Sequence, residues 1–112
     1  MPARDPPCGT SRFREICEHL RSKCPPPRGI RIRFRRLARE HLKGDHGETT
    51  QRGRTISVAV ADNLTEVETI DRLIHEYAHA MTWRPFHALQ HDHDAMWGVA
   101  FAQVYTAYHG TR

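Results

Sequence analysis

The sequence predicts an α+β domain in which a small antiparallel-type sheet packs on three helices. Two observations carry this. Residues 30–37 (IRIRFRRL) and 55–61 (TISVAVA) alternate apolar side chains with polar or small ones, the period-two pattern of half-buried strands. Residues 11–21, 65–83 and 93–108 instead repeat apolar residues at three- and four-residue intervals, the period of helices with one buried face. A chain of 112 residues is long enough for one core but not for two.

Residues 1–10 (MPARDPPCGT) are proline-rich and are expected to form a disordered tail, with a single domain over 11–112. Ser11 is a suitable cap for a helix over residues 12–21, whose Phe13, Ile16, Cys17 and Leu20 share one face. Pro25, Pro26 and Pro27 stop that helix and Gly29 turns the chain. In the first strand Ile30, Ile32 and Phe34 face the core and Arg31, Arg33 and Arg35 face outward. Residues 43–54 (KGDHGETTQRGR) are polar and glycine-punctuated, which suits a loop or a short irregular edge strand. Ile56, Val58 and Val60 form the inner face of the second strand, expected beside the first.

Asp62 and Asn63 then turn the chain into the central helix. Thr65 is its expected N-cap, and Glu66 and Glu68 place negative charge where the helix dipole favours it. Val67, Ile70, Ile74, Tyr77, Ala78 and Met81 make its apolar stripe. In the last helix Trp97, Phe101, Val104 and Tyr108 keep core spacing, widened by Met96, Ala100 and Ala107.

Composition bounds the function classes. With 38% hydrophobic and 27% charged residues the chain reads as soluble, and no apolar run approaches the length of a membrane span. Residues 1–10 lack the apolar segment of a signal peptide, so a cytoplasmic protein is expected. Cys8, Cys17 and Cys24 are odd in number and lack CxxC spacing, which argues against a disulfide framework and a zinc ribbon. Charge is split: residues 1–54 carry 14 Arg and Lys against 6 acids, residues 55–112 carry 3 against 7. The basic half can attract DNA, and Arg31, Arg33 and Arg35 are its best phosphate-contact candidates. The plainer role for such a ridge is to keep an edge strand soluble.

The chemistry concentrates in His75-Glu76-Tyr77-Ala78-His79, an HExxH element. Residues four apart share one helix face, so His75 and His79 can offer imidazole nitrogens to a single Zn²⁺. Glu76 is rotated about 100° from His75 and flanks the ion, where a carboxylate can take a proton from an activated water. A catalytic zinc wants a third protein ligand. His87, His91, His93 and Asp94 compete for that place, and His93 is favoured because it precedes the core-facing Trp97 by one turn. Asp92 and Asp94 also suit helix N-terminal charges or hydrogen-bond partners of imidazole.

A strand, the HExxH helix running from His75 to Ala80, and an HxxxW pattern from His93 to Trp97 together resemble the SprT-like zinc metallopeptidases. The continuation through Gly98, Phe101 and Tyr105 resembles their short phage-type members. The resemblance covers roughly residues 30–108. It implies a minimal zincin-like core, Zn²⁺ on His75, His79 and His93, Glu76 as general base, and a protein or peptide substrate. Asp94 stands where larger relatives carry glycine, and no cysteine follows Cys24 to form the zinc ribbon several of them have.

The expected function is therefore zinc-dependent peptide hydrolysis, with Tyr105 or Tyr108 as oxyanion donors or, more simply, core aromatics like Trp83 and Trp97. The strand over residues 55–61, beside the HExxH helix, would accept an extended substrate by pairing if it has a free edge. The competing expectation is a zinc-stabilised basic DNA-binding module without catalysis.

Overall fold

The structure, a computed structural model, describes residues 5–43, 46–82 and 95–110. In chain order these form α1 (Thr10–Lys23), β1 (Arg31–Leu37), a 3₁₀ turn at Arg39–His41, β2 (Gly47–Arg52), β3 (Thr55–Ala61), α2 (Glu66–Met81) and α3 (Ala95–His109). The result is a small α+β domain of helices packed on a three-stranded sheet, the coarse arrangement that the two periodicities predict.

The sheet order is β1-β3-β2, with β3 antiparallel to β2 but parallel to β1. The sheet is thus mixed, which corrects the antiparallel expectation. Side-chain alternation specifies which face of a strand is buried. It is unchanged when the strand is reversed, so it carries no direction. The stretch that reads as a loop or irregular edge is the regular edge strand β2, joined to β3 by a two-residue turn in which Gly53 takes a φ of 62°. With β3 paired on both sides, no edge of that strand remains open; among the described residues the open edge on that flank belongs to β2.

Register assembles the inner face row by row. Ile32 lies opposite Ile56, and Phe34 opposite Val58, which on its other side faces Thr49. Ile32, Ile56, Val58 and Val60 are buried in one cluster with Ile16 and Leu20 of α1, Leu73, Ile74 and Tyr77 of α2, and Val104 of α3. Tyr77 stacks on Phe34 with ring centroids 5.8 Å apart, and its hydroxyl donates to the Cys24 carbonyl. Arg36 is the polar member of the inner row. It donates to the Cys8 carbonyl and the Thr10 hydroxyl and lies 5.0 Å over the Phe13 ring.

Two end effects differ from expectation. The first helix starts at Thr10, with Gly9 at its N-cap and no side-chain cap bond, rather than being capped by Ser11. Within the stretch expected as a tail, Pro7 bridges Thr65 and Cys8 is buried, its N–H donating to the Leu64 carbonyl. Val67, assigned to the apolar stripe of α2, is 66% exposed, while Thr69 and Leu73 are buried. The stripe runs on past the neighbours that cover it. No described helix is long and apolar enough to cross a membrane.

Candidate metal centre and its carboxylate

Thr65 starts α2 as expected. Its hydroxyl accepts from the Glu68 N–H at 3.2 Å, and the Glu68 carboxylate accepts from the Thr65 N–H at 3.0 Å, a complete capping box. With the helix start pinned, the next turns carry His75 and His79 on one face. Their ring centroids stand 5.1 Å apart at an interplanar angle of 71°. Imidazole nitrogens one turn apart suit Zn²⁺, so these two residues fit as part of a ligand set. The third-ligand candidates His87, His91, His93 and Asp94 lie outside the described residues, as does Trp83. Among the described residues no group of three or more His, Cys, Asp or Glu side chains is placed to hold a metal.

α3 crosses the same face. Trp97 packs against both rings, with centroid distances of 5.0 Å to His75 and 5.5 Å to His79, and its indole N–H donates to the His75 carbonyl at 3.3 Å. Trp97, expected in the core, thus serves as a half-buried wall of the histidine pair. Met96, expected to widen the apolar face, is exposed. The two tyrosines part company. Tyr105 is exposed and lines a cleft of about 560 Å³ with His75, Phe101, Leu64, Arg72 and His46. Tyr108 packs edge-on against His19 of α1, its hydroxyl pKa pushed up by burial.

Glu76 is the buried charge of the site, its side chain 6% exposed against 25% for His75. Its Oε2 lies 4.0 Å from Nε2 of His75, which puts the carboxylate beside the imidazole. Residues not singled out from the sequence hold it there. Thr49 of β2 places its hydroxyl 2.8 Å from Oε1 and 2.9 Å from the Glu76 carbonyl oxygen. Arg72, one turn earlier on α2, brings its guanidinium to 3.7 Å from Oε2. The Arg72–Glu76 spacing of four is readable in the sequence as a helical ion pair. Thr49 carries no such signal, because its contact depends on strand register.

His46, just ahead of β2, also borders the cleft, with its Nδ1 buried and unpartnered among the described residues. A buried polar atom without a partner costs about 1–3 kcal/mol.

Arg31, Arg33 and Arg35 are all exposed on β1, at the sheet edge away from β2. A second cleft, of about 620 Å³, runs between α1 and β1, bordered by Arg14, Arg21, Arg31, Arg33, Phe13 and Phe34. Arg21 is partly committed to structure, donating to the Ile32 carbonyl at 3.1 Å and lying 5.0 Å over the Phe34 ring. Arg31, Arg33 and Arg35 therefore sit on the strand at one edge of the sheet, while Glu76 is held by Thr49 on the strand at the other.

Comparison of the chain with protein-family models, with curated proteins and with solved structures finds no match.

Proposed function

We propose that the protein is a zinc-dependent metallopeptidase of the HExxH type, similar to the SprT-like enzymes, with His75 and His79 as two zinc ligands and His93 as the third. The observation that carries this reading is the placement of Glu76. A carboxylate that is almost fully buried, engaged at both oxygens and 4.0 Å from a histidine nitrogen has been removed from water beside a donor pair. Desolvating a charge is costly, so a purely structural helix would be expected to avoid it. A Zn²⁺ ion supplies positive charge that acidifies water and polarises a carbonyl. Glu76 takes the proton of the attacking water and passes it to the amine that leaves as the C–N bond breaks. The cleft beside His75 receives the substrate, and the open edge of β2 can pair with an extended peptide. Tyr105 is on the wall of that cleft, whereas Tyr108 packs against His19.

Metal analysis combined with two variants tests this. Protein purified without added metal should hold about one zinc per chain, and His75→Ala should lose it. Glu76→Gln should keep the zinc while cleavage of labelled casein falls about 10²–10⁴-fold. Zinc retained with cleavage equal in wild type and Glu76→Gln would overturn the peptidase reading.

A second contact, with single-stranded nucleic acid, is favoured by the α1–β1 cleft. It carries four arginine side chains on its lining, the phosphate-attracting charge of a groove that tracks such a backbone, while its two phenylalanine rings already face Arg36, Arg21 and Tyr77. In the non-catalytic alternative this contact would be the whole function. The Glu76→Gln comparison separates the two, because a binding module loses no cleavage.

A further inference from the structure

Gly47 faces α2 from the first position of β2, and its backbone is not in the left-handed region that would call for glycine. Space is the reason for it. A Cβ at Gly47 would stand 2.9 Å from both Cγ and Cδ of Arg72 and 3.0 Å from the Ala59 carbonyl oxygen. The aliphatic stem of Arg72 therefore lies directly across the strand at the place where no side chain obstructs it. The stem ends with the guanidinium 3.7 Å from Oε2 of Glu76, while Thr49, two residues along β2 from Gly47, takes Oε1. One strand thus supplies both the hydroxyl that holds one carboxylate oxygen and the gap that admits the cation to the other.

We propose that Arg72 is a positioning residue, admitted by Gly47, that fixes the Glu76 carboxylate toward the histidine face. The inference rests on the reading of Glu76 as the general base. Rotation of a carboxylate about its last bond is soft. A cation on Oε2 and a donor on Oε1 remove that freedom, and a base held in one orientation works faster without binding substrate more tightly.

A double-mutant cycle on the protein as purified tests the link without any substrate. Arg72→Met should change the urea unfolding constant about 5-fold more in the presence of Glu76 than in a Glu76→Gln background. Gly47→Ala, which displaces the stem, should bring that difference down to about 2-fold or less. On labelled casein, Arg72→Met should lower kcat about 10-fold with zinc content unchanged, and Arg72→Lys should recover part of the loss. No coupling in the cycle, or an unchanged kcat in Arg72→Met, would overturn the inference while leaving a Glu76-dependent peptidase intact. Wild-type cleavage by Glu76→Gln would remove the peptidase reading and this inference together.

Discussion

The Thr49 hydroxyl, on the sheet edge, lies 2.8 Å from Oε1 of Glu76 on the central helix. The same oxygen is 2.9 Å from the Glu76 carbonyl, and with a single proton to give it donates to one acceptor at a time. Thr49 is paired across the ladder with Val58, which faces Phe34, on whose ring Tyr77 stacks. The row that seats Tyr77 in the core thus seats its neighbour Glu76 at the site. Packing and chemistry on α2 share one registration of the sheet.

Removing that hydroxyl should be costly. Thr49→Val keeps the shape and the strand preference but leaves a buried carboxylate short of a donor, so unfolding free energy should fall by about 1–3 kcal/mol in urea titrations. Thr49→Ser should retain most of it. Equal stability of the Val and Ser variants would show that the bond carries nothing.

The start of α2 makes a second prediction. Thr65→Ala removes the side-chain half of the capping box and should lower stability by about 1 kcal/mol, whereas Thr65→Asp should be close to neutral. Thermal denaturation of the three proteins reads the difference. Because His75 lies more than two turns beyond the cap, zinc stoichiometry should be unchanged in both variants.

Alkaline pH should loosen the core. Burial pushes the Cys17 thiol from 9.0 up to about 12. In the unfolded chain the thiol ionises first, so the unfolded state binds fewer protons between these values and stability falls as pH rises across that window. The slope is about 1.4 kcal/mol per pH unit for one such group. Tyr77, whose hydroxyl is also raised by burial, adds to the loss at the upper end. The melting temperature should therefore decline as pH rises above 9, and Cys17→Ala should flatten the decline. A decline of the same steepness in Cys17→Ala would contradict the assignment.

The basic ridge gives a salt-dependence prediction. Replacing Arg31, Arg33 and Arg35 together with glutamine should weaken binding to a single-stranded oligonucleotide regardless of its sequence. It should also reduce the slope of log affinity against log salt by about 2, at about 0.7 per phosphate contact. Casein cleavage should be unaffected, since the three arginines are on β1 and Glu76 is held from β2, across the sheet. An unchanged salt slope would leave the ridge as a solubility device for an edge strand.

Much of this molecule can be read along the chain. The Thr65 cap, the helix it starts and the His75/His79 pairing are local: they depend on residues three and four apart, and helical periodicity prints those separations directly into the sequence. Strand alternation is likewise local, which is why Ile32, Ile56 and Val58 could be assigned to the core. Val67 fails because periodicity describes a helix face and says nothing of how far the neighbouring elements extend over it.

The sequence by itself determined the two periodicities, the α+β composition of the domain and the pairing of two imidazoles with an adjacent carboxylate on one helix. Only the tertiary structure decided that β1 runs parallel to β3, that Thr49 reaches Glu76, that Gly47 makes way for Arg72 and that Trp97 covers both histidines. The physical reason is distance along the chain. Contacts within a helical turn or between alternate strand residues follow from backbone geometry. A contact between residues 27 apart, as between Thr49 and Glu76, exists only after strand direction and register have been selected by burial of the core.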